Sequence, residues 1–321
     1  MPVGDRPQRP IISDGLIWVA ASDSDLVAVV DPVDEWVSDT IDVGSSPQAA
    51  LSSHGLIWVS NSGDNTVSVI DPASLTVIDN IAVGSDPGEA VDAGGAIWVA
   101  NKSDGTVSVI DPASRTVTDT IEVSYGPRTP LAAAGYVWVP NSRSDLVSAI
   151  DEVTRKVAGT ISVGDSPDTP AEVKGLIWVP VWGDNSLVVI NPALMSRAGM
   201  VSLDGPPGTP LVAGGLIWVP VDSDGPDLKP GSIVVIDPNS REIIDTIEVG
   251  FGPGTPIESG GLLWVPNTAS DTVSVIDMAT RTVLGAVVAE PGPGTPLAAE
   301  GHIWIPNLDD GSITMVIPDG G

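Results

Sequence analysis

Carboxylates are the commonest chemically capable groups in this chain, and three of them fall within one short stretch: Asp222, Asp224 and Asp227, with Lys229 just beyond. Oxygen ligands at that spacing suit a hard divalent cation such as calcium or magnesium. Gly225 comes early and no Glu closes the stretch, so the pattern departs from an EF-hand loop, and a solvated Asp-rich loop is the competing reading. A second pairing sets Glu89 as a base beside Arg9 as an anion stabiliser, the parts of a metal-assisted lyase or hydrolase. The same two charges can also do no more than pair with each other. The chain has no cysteine and two histidines, His54 and His302, without the spacing of a zinc site. No G-x-S-x-G elbow is present to carry a nucleophilic serine. A third set suits recognition: the aromatics Tyr125, Trp182 and Phe251 for apolar contact, and the hydroxyls of Thr129, Thr169, Thr209, Thr255 and Thr295.

What must position these residues is a repeat. Trp18, Trp58, Trp98, Trp138, Trp178, Trp218, Trp264 and Trp304 recur every 40 residues, with one interval of 46 between Trp218 and Trp264. A sustained period of this size marks units that bury their apolar faces only against their neighbours. Each period divides into four short strands. The first, as in residues 127–133, is small and flanked by proline. The second, Leu56-Ile57-Trp58-Val59, is a continuous apolar run that reads as buried on both faces. The third, residues 66–70, follows Asp64-Asn65, a dipeptide suited to a tight hairpin. Asp71-Pro72-Ala73-Ser74 then turns the chain into the fourth, residues 76–83, which alternates polar and apolar as an outer strand does. Helix signals are absent. Four antiparallel strands repeated eight times predict an all-β, eight-bladed β-propeller, taken as one domain over residues 1–321. The tryptophans then form the core between blades. The 46-residue interval places an insertion at residues 225–230, between the second and third strands of blade 6.

Composition narrows the partners. Asp plus Glu number 42 against 13 Lys plus Arg, for a net charge of -29, while 42% of residues are hydrophobic. That apolar content excludes disorder. The field repels a phosphate backbone and no basic stripe offsets it, so nucleic acid is not expected as a partner. No apolar run is long enough for a membrane span, and the first ten residues lack a signal-peptide pattern. An Asp-heavy, Lys-poor surface suits a secreted or extracytoplasmic setting.

The phrase G-x-x-W-V-x-N (Gly55 to Asn61), a short polar turn, T-V-S-V-I-D-P (Thr66 to Pro72) and a closing T-I-x-V-G resemble the YVTN/YncE-type propeller repeats, whose relatives include the streptogramin B lyases. The resemblance spans essentially the whole chain and implies a propeller. One departure is that five blades begin P-x-T-P, where the relatives have P-x-G followed by a β-branched residue. For an enzyme of the lyase kind the resemblance implies a divalent metal with a His and a Glu near the channel mouth. Both histidines instead fall by register at the turn between first and second strands, the opposite end of the blade.

Three functional readings follow. A non-catalytic propeller would bind a small molecule or a protein at the channel mouth over blades 4 to 7, through Tyr125, Trp182, Phe251 and the threonines. A metal-assisted lyase or hydrolase would use Glu89 and Arg9 at the same mouth. A structural repeat would serve a surface assembly. The replacement of a recurrent Asn by Val181 and Val221 suggests that one sector of this face is more apolar than the rest. The eighth repeat supplies the strand of residues 313–317 but little of an outer strand. About three N-terminal residues are left to cover it, which predicts an edge able to pair with a strand from another chain.

Overall fold

The computed structural model describes residues 1–223 and 229–318. The chain folds as an eight-bladed β-propeller with no helix among the described residues. Seven sheets have four antiparallel strands in simple sequential order, and the last has three. Two compact units are distinguished: Met1–Asn80 with Pro230–Ser232 and Ile247–Gly321, and Ile81–Lys229 with Ile233–Thr246. The first carries essentially blades 1, 2, 7 and 8, the second blades 3 to 6.

Blade 4 shows the pattern. Tyr136–Asn141 is flanked by the inner strand Leu131–Ala133 and by Leu146–Asp151, and Lys156–Ser162 is outermost. The inner strand is shorter than the sequence suggested. Only three residues pair continuously, and Pro127 meets Asn141 through an isolated bridge. The second proline of P-x-T-P has no N–H to give, but blade 2, with Ala50 at that position, breaks its ladder between bridge and strand in the same way. Blade 3 carries Ala90 at that position and pairs without such a gap as Pro87–Ala93, through a bulge.

The second and third strands are buried on both faces, as their unbroken apolar runs require. All eight repeat tryptophans are buried. Six of their indole N–H groups donate to the carbonyl five residues earlier, at the end of the inner strand, as Trp98 does to Ala93 at 2.9 Å and Trp138 to Ala133 at 3.0 Å. The indole therefore fills the space between blades and also holds the inner strand onto the second. In the first unit, Trp18 packs with Ile57, Val59 and Ile70 of blade 2. In the second, Trp138 packs with Ile177 and Val179 of blade 5.

The turn from third to fourth strand repeats with one chemistry. In the seven blades that have it, an Asp or Asn side chain accepts the N–H two residues on, as Asp71 does from Ala73 at 2.9 Å and Asp277 from Ala279 at 2.8 Å. Two residues later the chain turns through a left-handed φ at Glu35, Leu75, Arg115, Arg155, Met195, Arg241 and Arg281, none of them glycine. The side chain at this point reaches the preceding blade. Arg155 donates to Asp119 at 2.5 Å and to Thr118 at 2.7 Å, and Arg241 donates to the Ala198 carbonyl.

Replacing Trp138 by Ala should cost about 3 to 5 kcal/mol of unfolding free energy, read from denaturant titration. The turn carboxylates give a pH signature. N–H donors hold Asp111, Asp151 and Asp277 below the ordinary carboxylate range, chiefly the backbone groups of Ser114, Thr154 and Thr280 respectively. A lowered folded pKa stabilises above the unfolded value and is lost as pH falls through the folded one. The triple variant Asp111→Asn, Asp151→Asn, Asp277→Asn should therefore lose less melting temperature than wild type between about pH 5 and about pH 2.

Candidate functional site

Each blade brings its entering loop against its own hairpin between second and third strands. In six blades the loop N–H donates to a hairpin side chain 19 residues later: Asp5 to Ser24, Ser45 to Asp64, Ser85 to Asp104, Tyr125 to Ser144, Asp165 to Asp184 and Phe251 to Ser270. In the first unit, hairpin aspartates also hold the next blade's loop, Asp25 accepting from Ser46 at 2.9 Å and Asp271 from Gly292 at 3.0 Å. Part of the acidic excess is thus structural. The signal of this clasp in the sequence is the fixed spacing of 19 between loop residue and hairpin acceptor.

Tyr125 and Phe251 occupy the loop position of this clasp in blades 4 and 7, where other blades have Asp, Ser, Gly or Pro. Trp182 lies in the blade 5 hairpin, its N–H bonded to the Ser166 carbonyl of that blade's loop. The three aromatics therefore sit at the same end of their respective blades. Tyr125 is 72% and Trp182 57% exposed, against 37% for Phe251. Tyr125 and Trp182 belong to one compact unit and Phe251 to the other.

The threonines follow a second repeat feature. Thr129, Thr169, Thr209, Thr255 and Thr295 are half-buried in the gap between bridge and inner strand. Thr169 spends its hydroxyl on Asp168 at 3.2 Å. The five P-x-T-P blades are also the five whose second strand carries a proline two residues after the repeat tryptophan, Pro140, Pro180, Pro220, Pro266 and Pro306. The second-strand proline lacks an N–H where the inner strand has left the ladder, and its carbonyl still accepts from the residue after the bridge, as Pro140 does from Arg128 at 2.8 Å. At the threonine position blade 1 has the exposed Arg9, blade 2 the buried Ala49 and blade 3 the half-buried Glu89. Arg9 and Glu89 each have an interaction partner, and they lie in different compact units.

The Asn-to-Val exchange has a different meaning from the surface sector expected. Asn61, Asn101, Asn141, Asn267 and Asn307 are fully buried, as are Val181 and Val221. Each Asn amide donates to a hydroxyl seven residues on: Asn61 to Ser68, Asn101 to Ser108, Asn141 to Ser148, Asn267 to Ser274 and Asn307 to Thr314, all within 3.0 Å. Where Asn is absent the hydroxyl is absent too. Ala21 goes with Ala28, Val181 with Val188, and Val221 with Val234. In blade 5 this leaves the buried Ser186 hydroxyl without a partner. The position is core, where a polar pair and an apolar pair are alternative fillings.

Among the described residues, no group of three or more His, Cys, Asp or Glu side chains is placed to hold a metal ion. Of the proposed calcium or magnesium ligands, Asp222 is exposed and bonds the Ser223 N–H at 2.8 Å. Asp224 and Asp227 lie outside the described residues. His54 is exposed at the turn between first and second strands. His302 is one step into the second strand, its ring edge-on to Trp304 at 6.4 Å. Neither histidine is at the loop-and-hairpin end of its blade.

No family model matches the chain, and no curated protein sequence does. Among solved structures, the computationally designed Ika8 protein superposes with a TM-score of 0.82 at 11% identity, over 98% of both chains. BamB from Moraxella catarrhalis gives 0.74 at 13% identity over 95% of both chains. Dihydro-heme d1 dehydrogenase NirN, in complex with DHE, gives 0.76 at 16% identity over 95% of this chain and 70% of that one. The neighbours BamB and NirN are β-propellers, and at these identities the likeness is one of fold.

The buried pair gives a coupling test. Asn141→Val alone strands the Ser148 hydroxyl and the Ser124 N–H, which donates to the Asn141 amide oxygen at 3.2 Å. It should cost about 1 to 3 kcal/mol. Adding Ser148→Val should recover part of that loss, so a double-mutant cycle in denaturant should show a favourable interaction of at least about 0.5 kcal/mol between the two valines.

Proposed function

We propose that this chain is a YVTN/YncE-type repeat propeller that acts as a non-catalytic binding module. Its contact surface is the loop-and-hairpin end of blades 4 to 6, with Tyr125 and Trp182 as anchors and Thr129, Thr169 and Thr209 as polar contacts. The observation that carries this reading is the exposure of two large aromatics at positions where the repeat pattern does not call for them. Tyr and Trp bring large apolar area together with a polar tip, and exposed loops free of a shared structural task are where recognition residues accumulate. In the other compact unit, Phe251 offers the same chemistry in blade 7, where Thr255 takes the threonine position, as Thr295 does in blade 8. The acidic excess supports an extracytoplasmic setting, where the ligand would be neutral or cationic rather than a nucleic acid.

The Tyr125→Ala, Trp182→Ala double variant should fold with a melting temperature near that of wild type, because neither side chain is buried. A thermal-shift screen of small neutral and cationic compounds and of short peptides should find binders whose shift disappears in the double variant. The same shift should persist in Trp36→Ala, which removes an exposed tryptophan from the outer strand of blade 1. Binders indifferent to Tyr125 and Trp182, or mapped to the turns near His54, would remove the basis for the reading.

A further inference from the structure

In blades 1 and 7 the hairpin carboxylates Asp25 and Asp271 accept the N–H of Ser46 and Gly292, 21 residues on, in the loop that enters the next blade. At that hairpin position five blades carry Asp or Asn, whereas blades 3, 6 and 8 carry Gly105, Gly231 and Gly311. Gly105 keeps the left-handed backbone of the position, with φ 67° against 54° at Asp25 and 53° at Asp271. The loop residue 21 positions on is Gly126, whose φ of 70° matches the left-handed Ser46 at 53° and Gly292 at 72°. A Cβ placed on Gly105 would stand 3.4 Å from the Ser124 carbonyl oxygen and 3.8 Å from the Tyr125 Cα, so the position still points at the blade 4 loop. Gly126 is buried, yet among the described residues no group accepts its N–H.

A cavity of about 340 Å³ opens at this place. Asp104, Gly105 and Thr106 of the blade 3 hairpin line it, with Glu122 at the end of that blade's outer strand and Ser124 and Tyr125 of the blade 4 loop. All of these residues lie within the second compact unit. One Asp104 oxygen accepts the Ser85 N–H at 2.7 Å. The other, and both oxygens of the exposed Glu122, have no hydrogen-bond or ion-pair partner among the described residues. One backbone donor and two carboxylates therefore share a small space. Of the three blades that follow a hairpin glycine, two begin their loop with an aromatic, Tyr125 after Gly105 and Phe251 after Gly231, while blade 1 has Asp5.

We infer that this cavity binds a primary carboxamide, carried by a small molecule or by the Asn or Gln side chain of a peptide. Its carbonyl oxygen accepts the Gly126 N–H, as the Asp25 carboxylate accepts that of Ser46, and its NH2 group donates to Asp104 or Glu122. A free carboxylate would satisfy the N–H but meet two like charges. An ammonium would suit the carboxylates but leave the buried N–H without an acceptor. The chain uses the same group internally, since Asn65 and Asn185 place a carboxamide at this position in blades 2 and 5. The inference rests on the proposed binding surface in taking Tyr125 as one wall, and it names the ligand group for the blade 4 end of that surface.

The probes are benzamide, benzoate and benzylamine, which present one ring with a carboxamide, a carboxylate or an ammonium. Each is titrated against the full chain and followed by the amide shifts and hydrogen exchange of Gly105 and Gly126. Benzamide should bind saturably, at least tenfold more tightly than either analogue, and at saturation should slow Gly126 exchange at least tenfold. Gly105→Asn has the precedent of Asn65 and Asn185 at φ 60° and 48°, so the fold should accept it. It should slow the same exchange without ligand and weaken benzamide at least tenfold. The capped peptide acetyl-Gly-Asn-Gly-N-methylamide tells the source: binding tighter than benzamide assigns the group to a polypeptide, and weaker binding assigns it to a small molecule. No saturation by either carboxamide at millimolar concentration would overturn the inference, as would equal binding of the three ring probes. If carboxamide binding is unchanged in Gly105→Asn but lost in Tyr125→Ala, Trp182→Ala, the inference falls and the wider surface stands. If it is lost in Gly105→Asn but kept in that double variant, the cavity stands and the aromatic anchors fall.

Discussion

The burial of blade against blade through the second-strand tryptophan is the interaction on which the rest depends. A four-stranded sheet of this size cannot hide its own apolar faces, and a 40-residue unit has no other core. The indole fills the gap between neighbours and, in six blades, fastens its N–H to the end of the inner strand. Because that inner strand pairs continuously over only three residues in seven blades, the indole is a large part of what holds it. The entering loops and hairpins are then free to vary, since their positions are set by a scaffold beneath them.

Within that scaffold, substitutions travel in matched sets. P-x-T-P occurs with a proline two residues after the repeat tryptophan, and a buried Asn occurs with a hydroxyl seven residues away. Each set satisfies one accounting rule: a backbone or side-chain polar group that loses its partner is removed along with it. Ser186, whose hydroxyl is left alone beside Val181, breaks the rule, as do the buried side-chain oxygens of Ser60, Asn61, Asn101 and Asn307.

The fold was legible because its signals are local and redundant. The Trp spacing, the two-sided apolar runs and the Asp-Pro turns each pointed to the same four-stranded unit, repeated eight times. The inner strand was overextended because a run of small residues after a proline looks like strand, whereas in seven blades only three of those residues pair continuously. The Asn-to-Val exchange was misread for a related reason. At the end of a strand next to a hairpin, sequence does not tell whether a side chain points to solvent or into the neighbouring blade. Tyr125 and Trp182 could be singled out from sequence because they break a pattern, and the structure adds that they are exposed. The clasp from loop N–H to hairpin side chain at a spacing of 19 escaped notice because Asp and Ser alternate as acceptor, so no single residue type marks it.

The left-handed residue at the turn between third and fourth strands bears on how such a chain is made. Through Arg155 or Arg241 it reaches backward to the outer strand of the blade before it, where Asp119 or the Ala198 carbonyl receives it. One copied period therefore carries both a reaching side chain and a surface on which the next copy's side chain can land. A gene segment of that length can be duplicated in tandem without a new interface being invented, because each copy arrives already matched to its parent on one side and to its offspring on the other. Drift after duplication is then channelled to the loops and hairpins, the parts of the unit that face no neighbour's core.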